Sequence, residues 1–151
     1  MARYLVQISS PLSPPDAFAY MADLNNFAEW DAGVRRVEQV DGDGAGPETS
    51  VDVTGAVGLG SLTLRYRTVE FDAPDRVVVE AKSTLLTSLD TITVEAVDGG
   101  SIVTYDSELK LNGLLGLGDP VLGLTFRRIG DRAIEGLITA LEGERVVEAA
   151  A

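Results

Sequence analysis

The sequence predicts an α+β fold: an antiparallel sheet of about seven strands, two short helices after the first strand, and one long C-terminal helix. Three observations carry this. Residues 34–111 read as strand after strand, with alternating apolar side chains between breaks rich in Gly, Asp and Pro. The breaks are short, and short connections join antiparallel neighbours. Residues 119–142 carry an apolar stripe at helical spacing behind an Asp-Pro start.

Residues 3–9 alternate as a strand, with Tyr4, Val6 and Ile8 on one face. Ser13-Pro14-Pro15-Asp16 is a helix start: Ser13 caps, Pro14 suits the first helical position, and Asp16 completes a capping-box pattern. This helix runs to about Ala22 and buries Ala17, Phe18 and Met21. A second helical turn, Asn25 to Glu29, leads to Trp30. Strands follow at 34–41, 49–57, 61–71, 76–83, 86–97 and 101–111. Within 61–71, Leu62, Leu64 and Tyr66 share a face, whereas Val69 and Phe71 have the opposite parity, which predicts a bulge between them. Taking Gly99-Gly100 as a two-residue turn pairs Asp98 with Ser101 and Asp90 with Leu109. The long helix is capped by Asp119, opened by Pro120 and ends near Glu142. Its stripe is Leu122, Phe126, Ile129, Ala133, Leu137, Ala140 and Leu141, and it is roughly 35 Å long. Residues 1–146 are expected to form one domain, with 147–151 a frayed tail and fraying beginning after Glu144.

Composition narrows the chemistry. The chain has 12 basic and 24 acidic residues, a net charge of -12, which disfavours nucleic acid or an anionic membrane surface as partner. With no cysteine there is no disulfide, thiolate nucleophile or Cys-type zinc site. With no histidine there is no Ser-His-Asp machinery and no His general base. Acid–base chemistry falls to Asp, Glu, Tyr, Lys or water. No metal or cofactor is expected. The acidic turn from Asp41 to Glu48 fails as a calcium loop, because Ala45 replaces a ligand and Asp52 stands where such a loop has Glu. No apolar run is long enough for a membrane span or a signal segment, so a cytoplasmic location is expected.

The candidate site follows from parity. Ser88 and Asp90 share a face with Ile92 and Val94; Tyr105 and Ser107 share one with Val103 and Leu109; Tyr66 follows Leu62 and Leu64 inward. This gives Tyr66, Ser88, Asp90, Tyr105 and Ser107 as inward polar groups. Asp90 has two readings. It is buried with a raised pKa, and so able to act as an acid or base near neutral pH, or it is solvated at the open end of the sheet. Trp30 is either a wall of the ligand site or an anchor for the helical turns. Leu122 and Phe126 on the helix stripe, and Arg127 at its edge, complete the ligand-contacting set, with Arg127 able to reach a ligand carboxylate or Asp90. Gly130 and Gly136 either leave room for a ligand or let the helix approach the sheet. The segment from Asn112 to Pro120 reads equally as a glycine-hinged gate or as a packed connector.

The order of elements, the Ser-Pro-Leu-Ser-Pro-Pro-Asp-Ala-Phe approach to the first helix, Asn-Asn-Phe-Ala-Glu-Trp30 followed by Val34, Glu70-Phe-Asp-Ala-Pro-Asp-Arg76-Val and Leu137-Ile-Thr-Ala-Leu141 together resemble the START/Bet v 1-like superfamily, also called SRPBCC or polyketide cyclase/dehydrase-like. The resemblance covers nearly the whole chain. It implies a helix-grip fold, in which a curved antiparallel sheet wraps the long helix, and a hydrophobic ligand (lipid, acyl or aromatic) held between them. Two alternatives remain on the same fold. One is an aromatase/cyclase or dehydratase, with Asp90 and the Tyr66 and Tyr105 hydroxyls as candidates. The other is a protein-interaction module of the co-chaperone kind. A small hydrophobic molecule is the expected partner, and the expected state is monomer or homodimer.

Overall fold

The structure, a computed structural model, describes residues 2–57, 59–112 and 119–146, and of Ala2, Val57 and 119–126 the backbone alone. The chain forms β1 (Ala2–Ser10), α1 (Pro14–Ala22), a 3-10 turn (Leu24–Asn26), α2 (Phe27–Trp30), six strands β2 (Val34–Asp41), β3 (Ser50–Val57), β4 (Gly60–Asp72), β5 (Arg76–Lys82), β6 (Leu86–Val97) and β7 (Gly100–Leu111), then α3 (Asp119–Ala140) and β8 (Glu144–Arg145). The strands form one antiparallel sheet in the order β2-β3-β4-β5-β6-β7-β1-β8. The run β2 to β7 is a meander of short connections, and β1 closes against β7.

The helical start behaves as its residues dictate. The Ser13 hydroxyl accepts from Asp16 N at 3.3 Å, and Pro14 opens α1. Asp23 then accepts from Asn25 N and Asn25 Nδ2, which caps the following turn and redirects the chain into α2.

One face of the sheet carries the helices, and the core lies between. Val6 and Ile8 of β1, Val77 and Val79 of β5, Ile92 of β6 and Val103 of β7 are buried there. They meet Phe18, Met21, Phe27 and Trp30 from the helical turns, and Ala133, Ile134, Leu137 and Leu141 from α3. Leu137 and Leu141 are fully buried, each contributing about 2 kcal/mol of apolar burial.

Four details refine the sequence reading. The bulge falls where parity requires it: the β4–β5 register shifts between Thr68 and Glu70, so Thr68 is buried, Val69 is exposed, and Phe71 returns inward to stack edge-on against Phe18. The β6–β7 hairpin turns at Asp98-Gly99, not Gly99-Gly100; Ala96 faces Ser101 and Asp90 faces Ser107. Gly99 takes φ 82°, while Gly100 lies in β7 with its Cα against the Ser10 carbonyl oxygen, where no side chain fits. A two-residue slip keeps parity, so inward residues stay inward. On α3 the buried face is rotated toward Gly130. The Tyr4 ring occupies the space a side chain would take there, with Tyr4 Cδ2 2.5 Å from a Cβ built on Gly130, and Ile129 is left exposed. Finally, Glu144–Arg145 form an eighth strand on β1, pairing with Ser9 and Ile8, with Val146 N donating to Gln7 O. Arg145 and Val146 are therefore tied into the sheet. Residues 147–151 lie outside the described residues.

Candidate functional site

The inner face of β4, β6 and β7 carries a polar cluster inside an apolar core. Alternation puts Ser88, Asp90 and Ile92 on the inner side of β6, and Tyr105 and Ser107 on that of β7. The register seats Asp90 directly opposite Ser107, and Tyr105 opposite Ile92. Asp90 therefore receives two donors. Ser107 Oγ donates to Oδ1 at 2.5 Å across the strand pair, and Tyr105 Oη donates diagonally to Oδ2 at 2.8 Å. Tyr66 reaches from β4 over β5 to donate to Ser88 Oγ at 2.9 Å. The crossing is possible because the β5 residue between them is Ala81.

Asp90 is only 3% exposed. Burial raises its pKa to about 6, against the downward pull of the Ser107 and Tyr105 hydrogen bonds. Burial also raises both tyrosines, with the Asp90 charge adding to it, so their hydroxyls remain protonated donors. Of the two readings of Asp90, the structure shows the buried one.

Aromatic rings cover the cluster from the helix side. Trp30 meets Tyr105 edge-on at 5.7 Å between centroids, and Phe27 lies 5.9 Å from Tyr66 and 5.2 Å from Trp30. Trp30 thus both anchors α2 and walls the cluster. Beyond it stands a residue that sequence reasoning missed. Asp31 follows Trp30 at the end of α2, half-buried, with Oδ1 accepting from Gly33 N at 2.9 Å. Burial raises its pKa, and its charge in turn raises Asp90, Tyr66 and Tyr105. Phe27, also missed, was legible: it lies three residues before Trp30 on the same helical face. Asp31 had no such signal, because a residue just past a helix has no periodicity to read.

The structure brings together Tyr66, Ser88, Asp90, Tyr105, Ser107 and Trp30. Arg127 is exposed on α3, and both Asp90 oxygens accept from hydroxyls rather than from a guanidinium. The side chains of Leu122 and Phe126, and the whole 113–118 connector, lie outside the described residues. Gly130 and Gly136 serve close approach: Gly136 lies against the Trp30 carbonyl oxygen, as Gly130 does against Tyr4. No group of three or more potential metal ligands occurs among the described residues. An open groove of about 600 Å³, lined by Phe18, Phe71, Pro15 and Pro74 with Asp23, lies between α1, the 41–47 turn and the β4–β5 turn. Its lining includes none of the cluster residues, and its one charged residue is already engaged in capping.

Removing one donor tests the cluster. Tyr105→Phe leaves Asp90 Oδ2 without its hydroxyl, and the expected loss is about 2 kcal/mol at pH 7, typical of a hydrogen bond to a charged group. Urea unfolding should show a smaller loss at pH 4, where Asp90 is protonated.

Comparison with known proteins agrees with this architecture. The structure resembles the Thermus thermophilus protein TTHA0849, with a TM-score of 0.70, 16% identity and 93% of each chain covered. It resembles StfQ, a di-domain ARO/CYC from the steffimycin biosynthetic pathway, with a TM-score of 0.70 and 15% identity; the match covers 93% of this chain and 49% of that one. It also resembles Ara h 8.0201, with a TM-score of 0.62, 21% identity and coverage of 91% and 97%. At these identities the likenesses establish the helix-grip fold alone. No curated protein matches the sequence. Among the described residues no helix is long and apolar enough to cross a membrane. Residues 1–142 match the family described as polyketide cyclase / dehydrase and lipid transport, and the chain belongs to that family.

Proposed function

We propose that the protein binds a small, largely apolar ligand, aromatic or acyl in character, between the inner face of the sheet and α3, with the ligand's polar end on the Asp90 cluster. The observation that carries this is Asp90 itself. A carboxyl buried among neutral hydroxyls weakens the fold at neutral pH and returns no structural benefit that Asn would not give. A few placed polar groups within an aromatic wall are what a small-molecule site uses for orientation.

The test uses N-phenyl-1-naphthylamine, a neutral apolar fluorophore, titrated into the protein while emission from Trp30, the one tryptophan, is followed. The expected result is saturable binding near one equivalent with quenching of Trp30. Linear, unsaturable uptake with Trp30 unaffected overturns the reading.

A second reading has one observation in its favour. With a pKa of about 6, Asp90 populates both protonation states near neutral pH. On a bound polyketide-like chain, its carboxylate would take a proton α to a carbonyl. The resulting enolate would add to a second carbonyl and close a ring. Asp90 would return that proton to the alkoxide so formed; its carboxylate would then take a second α-proton and pass it to the departing hydroxyl, which leaves as water. The tyrosine hydroxyls, held protonated, would serve as donors to the enolate oxygen.

A further inference from the structure

The charges around the site specify the ligand's polar end. The chain has twelve basic residues, and every one is exposed. The segment from Gly113 to Phe126, which contributes the first third of α3, contains no Lys or Arg in its sequence, and the chain has no histidine. Among the described residues no cation therefore faces the cluster from the inner sheet face or from α1 or α2, and the sequence of that segment supplies none. Two carboxyls without a basic partner bear on it; Asp106 also raises Asp90 but is paired with Arg3. Asp90 lies at the centre with both oxygens held by neutral hydroxyls. Asp31, at the end of α2, has a single backbone donor, Gly33 N, on Oδ1, and its charge reaches Asp90, Tyr66 and Tyr105. The rings packed over the cluster are Phe27, Trp30, Tyr66 and Tyr105. Aromatic faces attract cations, and a desolvated site strengthens both attraction and repulsion.

We propose that this site rejects ligands with an anionic end and takes a ligand whose polar end donates hydrogen bonds, a protonated amine best of all. This rests on the binding role proposed above and narrows it. A free carboxylate would place a third negative charge beside two that have no counter-ion. A protonated amine would supply the missing charge, meet the aromatic wall and donate to Asp31 Oδ2. A neutral hydroxyl would donate without the charge and rank between them.

Three probes of one shape separate these cases: 2-naphthylmethylamine, 2-naphthylmethanol and 2-naphthoate, measured by calorimetry at pH 7.5 in about 0.3 M salt, where the field of the net surface charge is screened. The amine is expected to bind at least about tenfold more tightly than the carboxylate, with the alcohol between. Asp31→Asn keeps the acceptor for Gly33 N but removes the charge and turns the free oxygen into an amide donor, and it is expected to narrow the amine–carboxylate gap several-fold. Carboxylate binding equal to or tighter than amine binding overturns the inference and leaves the binding role standing. Failure of all three probes and of N-phenyl-1-naphthylamine overturns the binding role and this inference with it.

Discussion

Asp90→Asn is expected to be more stable than the natural protein at pH 7, by about 2 to 3 kcal/mol, and equal to it below pH 4. The argument starts from the two environments of the carboxyl. In the unfolded chain it titrates near its ordinary value of 3.8; in the fold, burial moves it up to about 6. Below both values the carboxyl is neutral in either state and contributes no penalty. As pH rises from about 4 to about 6 the unfolded state releases its proton first, so stability falls with rising pH. Above about 6 both states are ionised and the folded state carries the whole burial penalty. This is opposite in sign to a salt-bridged aspartate, which loses its contribution on acidification.

Asparagine removes the penalty without emptying the site. Its Oδ1 accepts from Tyr105, and its amide donates to Ser107 Oγ, which rotates to accept. Thermal unfolding at pH 7 should rise by roughly 6 to 9 °C for a chain of this length. A variant less stable at pH 7, or a gain that persists unchanged at pH 4, would show that burial of the charge is not what sets the carboxyl's pKa. The same variant tests the catalytic reading separately, since an amide takes no proton from a substrate. Turnover of a true substrate that survives Asp90→Asn rules out Asp90 as the base.

Much of this was legible before any coordinates, because strand parity is a robust signal. Ser88, Asp90, Tyr105 and Ser107 sit on the inner face because they share parity with Ile92 and Val103, and a two-residue slip in the hairpin left that unchanged. The slip itself was invisible. Asp98-Gly99 and Gly99-Gly100 are both good turn sequences, and the choice is made by Gly100, whose Cα packs against Ser10 O on a strand more than eighty residues away. The phase of α3 was misread for a similar reason. The stripe included Ile129, but the helix settles on the gap at Gly130, which Tyr4 fills with its ring while its hydroxyl donates to Asp131 at 2.7 Å. Asp31 escaped notice because its importance comes from three strands it is not attached to. Turns and periodicity record local preference; close approaches between distant backbones are recorded only as glycines without an evident partner.

Gly136 is the sharpest of those approaches, and Gly136→Ala is expected to cost about 3 kcal/mol, at the upper end of the overpacking range. In an isolated helix the change would help by about 0.5 to 1 kcal/mol, since alanine is the better helix former. Here a Cβ on α3 would overlap the Trp30 carbonyl oxygen, and would also lie 2.9 Å from the carbonyl carbon and 3.3 Å from Trp30 Cα. These are backbone atoms and cannot turn aside as a side chain can, so α2 must shift as a unit. With it would move Trp30 and Phe27, which cover Tyr105 and Tyr66 and so close the Asp90 cluster. Gly130→Ala is the informative contrast: its Cβ would meet only ring atoms of Tyr4. That ring can tilt at the expense of its bond to Asp131, and the loss should be about 1 kcal/mol smaller than at Gly136. Urea midpoints rank the two variants, and Trp30 emission separates them further. It should shift to longer wavelength in Gly136→Ala, as the indole gains contact with water, and stay in place in Gly130→Ala. An unshifted Trp30 in Gly136→Ala, with stability retained, would mean that α2 is not held by this contact and that the aromatic wall over Asp90 is independent of α3.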